Sequence, residues 1–536
     1  MNPSRACPTP RDGRAFDLLV VGGGATGLGV ALEAAQRGLD VALFESHDFA
    51  SGTSSRSTKL LHGGVRYLAQ GHLSLVREAL AERAAVLRLA PHLAQPLAFV
   101  MPAYGWWQKP FYGAGLMLYD LLAGRQGLGH TRWLSPAATL QALPGVQPRG
   151  LRGGVQYWDG QFDDARLAIA LARTAQAAGA QLRNHTQVTD LQRGAEGISR
   201  VRLRDRFSGQ ETQVQARCVV NAGGVWVDAL RQRAGTAHPQ PARLVSPSQG
   251  VHLVVDRSFM PGDHALLVPH TRDGRVLFVV PWLGQLILGT TDTPCLDLPR
   301  EPQALAEERA FILKEASAVL AREVRLADVR SEWVGLRPLV AAPKPGGTVT
   351  RKLSREHTIV QDADGLVTVV GGKWTTYRAM ALDVLEHCMQ HGLLPHRPAG
   401  PRDAPLLGAP AQGQTTPITQ ALHAPPGLHL YGTLTREVLA CPGAQRELGL
   451  GLTEAMVRYA VRAEYACTVE DVLARRWRAL FLDAHQARRM APDVADILRQ
   501  EGVQDPELER FTVLCGHYLP YEPPQGFAHA GAATGP

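Results

Sequence analysis

Phe16-Asp17-Leu18-Leu19-Val20-Val21-Gly22-Gly23-Gly24-Ala25-Thr26-Gly27 is the stretch that decides how this chain folds. The apolar, partly β-branched run to Val21 suits a buried parallel strand. It breaks off in glycines, and Ala25 to Arg37 is an Ala- and Leu-rich helical stretch with Gly38 placed to cap it. Asp40 to Glu45 reads as a second strand, which completes a β-α-β unit. Gly22, Gly24 and Gly27 fit G-x-G-x-x-G. Glycines there permit a tight turn and let backbone N–H groups approach a pyrophosphate at a helix N-terminus. Glu45 closes the second strand, where a carboxylate can accept hydrogen bonds from a ribose. The glycine spacing alone is weak, since Gly-rich turns are common in α/β proteins. Strand, helix and terminal acid in register make it a dinucleotide site.

Around this unit lie 536 residues, too many for one compact core and enough for roughly two to four domains. Hydrophobic residues at 45% and charged residues at 20% exclude wholesale disorder. No apolar run approaches the ~18–20 residues needed to span a bilayer, and Met1 to Arg14 lacks the apolar core of a secretory signal. The expectation is a cytoplasmic protein without a spanning helix. Seven scattered cysteines with no Cys-x-x-Cys argue against a disulfide framework and a structural zinc site, so no metal is expected. The net charge of +7 permits an anionic partner. No basic run or known motif concentrates it, so nucleic acid is not expected.

Further along, Leu73 to Leu89 carries apolar residues at 73, 76, 80, 84 and 87, a helical stripe. Leu167 to Gly179 and Glu307 to Ala321 also read as helices. From 181 to 290 the pattern turns strand-like, with Val214 to Asn221, Val251 to Val255, Val276 to Val280 and Leu286 to Thr290, and Leu366 to Val370 is again a strand. Residues 395–427 hold eight prolines and mark a linker; beyond it the chain lacks strand signals and reads as helical. The small-residue loop Ser51-Gly52-Thr53-Ser54-Ser55-Arg56-Ser57-Thr58-Lys59 suits a backbone wrapped against a large flat ligand. Two further glycine turns follow strands, at Ala222-Gly223-Gly224 and at Gly371-Gly372-Lys373. Three separated Gly-rich strand ends fit a flavin bound by distant chain segments.

The sequence resembles the FAD-dependent glycerol-3-phosphate dehydrogenases, respiratory enzymes within the D-amino-acid-oxidase-like flavoproteins. The matching stretches include Val21 to Gly27, Thr58-Lys59-Leu60-Leu61-His62-Gly63-Gly64-Val65-Arg66-Tyr67-Leu68, Leu286 to Pro294, Gly335-Leu336-Arg337-Pro338-Leu339 and Gly371-Gly372-Lys373-Trp374-Thr375-Thr376-Tyr377-Arg378. The resemblance covers about residues 15–390. It implies an α/β fold with an α+β substrate part: a Rossmann-like FAD-binding domain, a mixed-sheet substrate domain and a small helical C-terminal domain. The expected division is 15–394 for the two interleaved domains, 395–427 for the linker, 428–522 for the helical domain and 523–536 for a disordered tail.

The resemblance further implies oxidation of sn-glycerol 3-phosphate to dihydroxyacetone phosphate, with hydride to flavin N5 and electrons to a membrane quinone. FAD contacts are expected at Gly22, Gly24, Gly27, Glu45, Ser54, Ser55, Thr58, Gly223, Gly372 and Thr375. Substrate contacts are expected at Arg66, Tyr67, Lys59, Arg355 and Lys373, because a phosphoester needs cations. His252 or His62 is the candidate proton acceptor, with Arg337 orienting the substrate. Without the motif, a histidine at a strand end is more often structural than basic, and an Arg before Pro is more often a solvated surface residue. Trp106 to Leu122, rich in Trp, Tyr and aliphatic residues, is either a core helix or a contact with an anionic membrane face. The implied location is peripheral at the cytoplasmic membrane, and a homodimer is allowed. Two competitors stay open: an oxygen-dependent glycerol-3-phosphate oxidase and a non-catalytic flavin-binding regulator.

Overall fold

The computed structural model describes residues 8–64, 72–194, 197–234, 242–272, 274–341, 357–412, 414 and 420–520. Arg66, Tyr67, Arg355 and the tail 523–536 lie outside the described residues.

Two sheets organise the molecule. In the first, five strands run parallel in the order Val367–Val370, Glu211–Asn221, Phe16–Val21, Val41–Phe44, Gln181–Arg183. Phe16–Val21 is central because Leu18, Leu19 and Val20 are buried on both faces, as a parallel strand covered by helices requires. Helix Ala25–Gln36 packs on one face with helices Asp164–Ala177 and Tyr377–Gln390. Strands Thr186–Arg193 and Ser199–Asp205 add an antiparallel extension to Glu211–Asn221. This is the Rossmann-like part, with its glycine turns at the carboxyl edge.

The second sheet has ten strands and is mixed. Near one edge, Ser248–Asp256 lies between Val329–Arg337 and Gln285–Gly289. Strands Ala94–Pro102 and Gly154–Phe162 pair antiparallel, and Ala94–Pro102 runs parallel to Ala265–Val268. Helix Ala306–Val319 covers the outer face.

The described residues of the proline-rich stretch 395–427 form neither helix nor strand, yet they are pinned to the body. Leu406 N–H donates to Leu89 O (2.9 Å), Leu422 N–H to Gln95 Oε1 (3.0 Å), and Leu422 O accepts from Leu283 N–H (2.8 Å). Both leucines are buried, so this segment is a strap with its own apolar anchors. Beyond it come helices Glu454–Ala463, Ala484–Gln500 and Leu508–His517 and a π-helical turn, Asp471–Arg476. In this C-terminal region a two-stranded hairpin, Glu447–Gly449 with Leu452–Thr453, departs from the sequence reading. It is too short to show strand periodicity, and its tight turn comes from positive φ at Gly449, Leu450 and Gly451.

Candidate active site

Three adjacent parallel strands end side by side, with Val21 opposite Asn221 and Asn221 opposite Thr368. Their glycine turns (Gly22–Gly24, Gly223–Gly224, Gly371–Gly372) therefore share one edge, where α/β sheets bind ligands. They form one wall of a cavity of about 1310 Å³. The opposite wall belongs to the mixed sheet and carries His252, Arg337 and Leu339, with His62 at the end of strand Leu60–Leu61.

The glycine turns divide their work. Gly22 has φ +111°, and Gly24 is the N-cap of helix Ala25–Gln36, which has no acid in its first turn and no capping side chain of its own. Its partial positive end faces the cavity at Gly24, Ala25 and Thr26. Gly27 is off the cavity wall, because it sits in the helix behind the turn, where a Cβ would run into Gly22 O. The structure gives it a packing role against the Gly22 turn.

Glu45 lines the cavity, and its carboxylate already accepts from Gly23 N–H (2.7 Å), His47 N–H (2.8 Å) and the Ser46 hydroxyl (3.1 Å). One of its roughly four acceptor positions is left for a ribose. Ser54, Thr58, Gly223, Gly372 and Thr375 also line the cavity. Ser54 Oγ accepts from Ala25 N–H (3.0 Å), and Ser54 O accepts from Trp374 Nε1 (2.8 Å), which ties the loop to two of the three turns. A wall of glycine backbone beside a helix N-terminus that carries no acid and no side-chain cap from its own N-cap residue is the cradle that an FAD pyrophosphate requires, so the residues fit the cofactor.

Two of the expected contacts lie buried off the cavity wall. Lys59 does not line the cavity. It is fully buried, its Nζ is 2.8 Å from both Asp164 Oδ2 and Ser55 O, and it lies over the rings of Trp282, Trp333 and Phe481. Burial pulls its pKa down to about 7 against the opposing pull of Asp164. The loop turns through positive φ at this residue, which sends its side chain to the core while Thr58 faces the cavity. Ser55 is likewise buried away from the cavity, with its carbonyl engaged by Lys59.

His252 is on the wall and almost fully buried. Its Nε2 is 2.9 Å from Thr58 Oγ1, and its ring stacks on Trp333 at 5.2 Å and 15°. Gly289 stands opposite it in the sheet, and a Cβ there would press on His252 Cδ2 at 2.6 Å. Its Nδ1 is buried with no partner among the described residues, a cost that folds usually tolerate at functional positions. Burial first, then the Lys59 and Arg337 cations, holds the imidazole pKa well below 6.5. The ring is therefore neutral near pH 7.

Arg337 ends its strand with the guanidinium lying over Gly250. It donates to Asp292 Oδ1 (2.9 Å), Gln249 O (3.2 Å), Thr290 Oγ1 (3.3 Å) and Thr291 O (2.9 Å). Burial lowers its pKa while Asp292 opposes that shift, and the fork stays charged. Lys373 lines the cavity on the facing side.

Sequence reasoning missed three braces of this site. Asn221 is fully buried at its strand end, where Oδ1 accepts from Gly223 N–H (3.2 Å) and Nδ2 donates to Val227 O (2.9 Å). A buried Asn closing an aliphatic strand was the available signal. Asp159 accepts from Gly63 N–H (3.2 Å), Arg83 (2.9 Å) and the Tyr119 hydroxyl (3.1 Å), which anchors the His62 loop. Arg300 reaches the glycine-turn wall, bonds Ser51 Oγ (2.9 Å) and lies over Trp226. No local pattern announces either of these.

The model of the FAD dependent oxidoreductase family matches residues 17–378, and that of the C-terminal domain of alpha-glycerophosphate oxidase matches residues 403–507. The chain is 40% identical over 518 residues to the mitochondrial glycerol-3-phosphate dehydrogenase of Mus musculus, covering 91% of this chain and 70% of that protein. It is equally similar to the enzyme of the same name from Homo sapiens, 40% over 518 residues with the same coverage. Among solved structures, the glycerol-3-phosphate dehydrogenase from Bacillus halodurans complexed with FAD superposes with a TM-score of 0.75 at 28% identity, covering 96% of this chain and 97% of that one.

Proposed function

The chain belongs to the FAD-dependent glycerol-3-phosphate dehydrogenase family, and from that premise we propose that it oxidises the C2 hydroxyl of sn-glycerol 3-phosphate to the ketone of dihydroxyacetone phosphate and delivers the electrons to a membrane quinone. The observation that carries this reading is the shared cavity, with a glycine-turn cradle on one wall and His252, His62 and Arg337 on the other. FAD, when bound, supplies the acceptor for the hydride that leaves C2.

The chain's own residues do the rest. Arg337 and Lys373 present fixed positive charge to the phosphoester, and the four bonds that hold the Arg337 fork make that charge preorganised. Thr58 Oγ1, on the cavity wall, takes the C2 hydroxyl proton as it passes its own proton along the shared hydrogen bond to His252 Nε2, which makes the imidazole the final proton acceptor. Arg66, Tyr67 and Arg355 complete the anion site in this reading, and Lys59 has no direct substrate contact.

The quinone assignment rests on helix Gln108–Ala123. Leu116, Tyr119 and Ala123 bury one face, so the core reading of this stretch holds for part of it. Trp106, Trp107, Phe111, Met117, Leu118 and Leu121 are exposed, and Phe111, Tyr112 and Leu118 also border the cavity. No described helix is long and apolar enough to cross a membrane. An apolar patch continuous with the cavity suits peripheral seating on a lipid surface and entry of an apolar acceptor.

Anaerobic mixing of the holoenzyme with glycerol 3-phosphate tests the reading: the flavin absorbance bleaches, and a short-chain quinone restores it. A spectrum unchanged by substrate refutes the enzyme, and rapid peroxide formation in air replaces the dehydrogenase with an oxidase.

A further inference from the structure

The C-terminal helical region reaches the site from behind. Arg478, almost fully buried, leads into the short helix Ala479–Leu482. Its Nη2 donates to Ser55 O (2.6 Å) and lies 3.4 Å from Asp164 Oδ1. Lys59 Nζ donates to the same Ser55 carbonyl and to Asp164 Oδ2, and Asp164 Oδ2 also accepts from Ser57 Oγ (2.7 Å) and Ser57 N–H (3.1 Å). Every residue from Ser55 to Lys59 except Arg56 and Thr58 is thus tied into one buried cluster. Arg56 is held separately by Glu301 (2.6 Å), and Thr58 is left to face His252.

A second route ends at the same imidazole. Phe481 lies under the Arg478 guanidinium at 4.0 Å, 5.3 Å from Lys59 Nζ and 5.2 Å from the Trp333 ring, and Trp333 carries His252. Ser331, two residues before Trp333, donates its hydroxyl to Leu480 O (2.7 Å). The loop that aligns the ring and the strand that supports it both lean on Arg478 to Phe481.

We propose that Arg478 is a positioning residue for the proton acceptor: through the Ser55 carbonyl and the Lys59–Asp164 pair it sets the loop that holds Thr58 Oγ1 against His252 Nε2. The proposal deepens the proposed function and rests on His252 as the acceptor. The charges around Arg478 are Asp163, Asp164 and Lys59, and those acting on His252 are Lys59 and Arg337. Removing Arg478 leaves two buried carboxylates facing one ammonium. The cluster then rearranges, and because Ser55, Ser57 and Lys59 are its members, the intervening Thr58 moves with it. A small displacement of such a group costs rate rather than substrate affinity.

The test uses FAD-loaded Arg478→Met, Arg478→Lys, Thr58→Val and the Arg478→Met/Thr58→Val pair in anaerobic stopped-flow reduction by glycerol 3-phosphate. Arg478→Met lowers the limiting flavin-reduction rate about 10–100-fold with KM and flavin content near wild type, and Arg478→Lys recovers part of the loss. Thr58→Val lowers the same rate, and adding Arg478→Met costs little more, because both act through one hydrogen bond. Independent, multiplicative losses overturn the proposal, as does an unchanged rate in Arg478→Met. Where Arg478→Met yields no folded holoenzyme, Arg478→Lys takes its place in the same cycle under the same criterion. His252→Gln separates the two levels. A wild-type reduction rate in His252→Gln refutes the acceptor itself, whereas a collapsed rate there beside an unaffected Arg478→Met refutes only the positioning role.

Discussion

Gly24→Ala separates cofactor binding from folding at a single methyl group. Gly24 has φ −81° and ψ −178°, which alanine adopts without strain. A Cβ there would meet only Ser54 Oγ, at 3.1 Å, and a hydroxyl can shift by the few tenths of an ångström required. The folded protein therefore tolerates the change. The methyl would nevertheless stand on the cavity wall at the N-terminus of helix Ala25–Gln36, in the space through which the pyrophosphate approaches the backbone. A charge-assisted hydrogen bond contributes about 1.5–3 kcal/mol, so losing two of them costs about 3–6 kcal/mol. At about 1.4 kcal/mol per factor of ten, FAD affinity falls by about 10²- to 10⁴-fold. Gly27→Ala is the contrast. Its Cβ would collide with the Gly22 carbonyl, so it lowers thermal stability whether or not FAD is present. The assay is titration of apoprotein with FAD, followed by flavin fluorescence, beside thermal melts of the same apoproteins. Wild-type FAD affinity in Gly24→Ala would refute the placement of the pyrophosphate, and an unfolded Gly24→Ala apoprotein would refute the reasoning from open space.

Arg337→Ala keeps its flavin, because none of its bonds reaches the glycine turns, but it loses a fixed cation; kcat/KM falls about 10–150-fold, and loss of FAD would show a structural role instead. The depressed pKa of His252 means that kcat/KM holds steady as pH falls through 6.5, and its acidic limb moves upward in Arg337→Ala because one of the lowering cations is gone; a wild-type limb at 6.5 or above contradicts this. The same depression makes the unfolded chain bind the proton first, so thermal stability declines as pH drops below about 6.5, and calorimetry of His252→Gln should show a shallower decline. Phe111→Ser with Leu121→Ser weakens co-sedimentation with anionic vesicles while leaving flavin reduction by substrate intact, and undiminished binding would remove this helix from the membrane contact.

The β-α-β unit was legible because both of its determinants are local. A buried parallel strand needs a continuous apolar run, and a pyrophosphate turn needs glycines at set spacing next to a helix start. Gly22, Gly24, Glu45, Gly223 and Gly372 could be read as cavity residues for that reason, and each lines the cavity. His252 and Arg337 came from motif resemblance rather than periodicity, and the structure brings them to one wall by pairing Ser248 with Arg337 across two strands. Lys59 shows the limit of such reading. It lies within the most ligand-like loop of the chain, yet positive φ at that residue turns it to the core, and only the presence of Asp164 and three aromatic rings makes that burial tolerable.

From its residues alone, then, the chain settles where its glycine turns fall, what class of cofactor they suit and which side chains carry charge. Pairings between distant segments belong to the tertiary structure: Arg478 against Ser55, Asp159 beneath Gly63, the prolines strapped to the body by Leu406 and Leu422. Local sequence encodes backbone preference within a turn or two. The partner that makes a buried cation or a carbonyl affordable is chosen by packing across hundreds of residues, and no spacing along the chain records it.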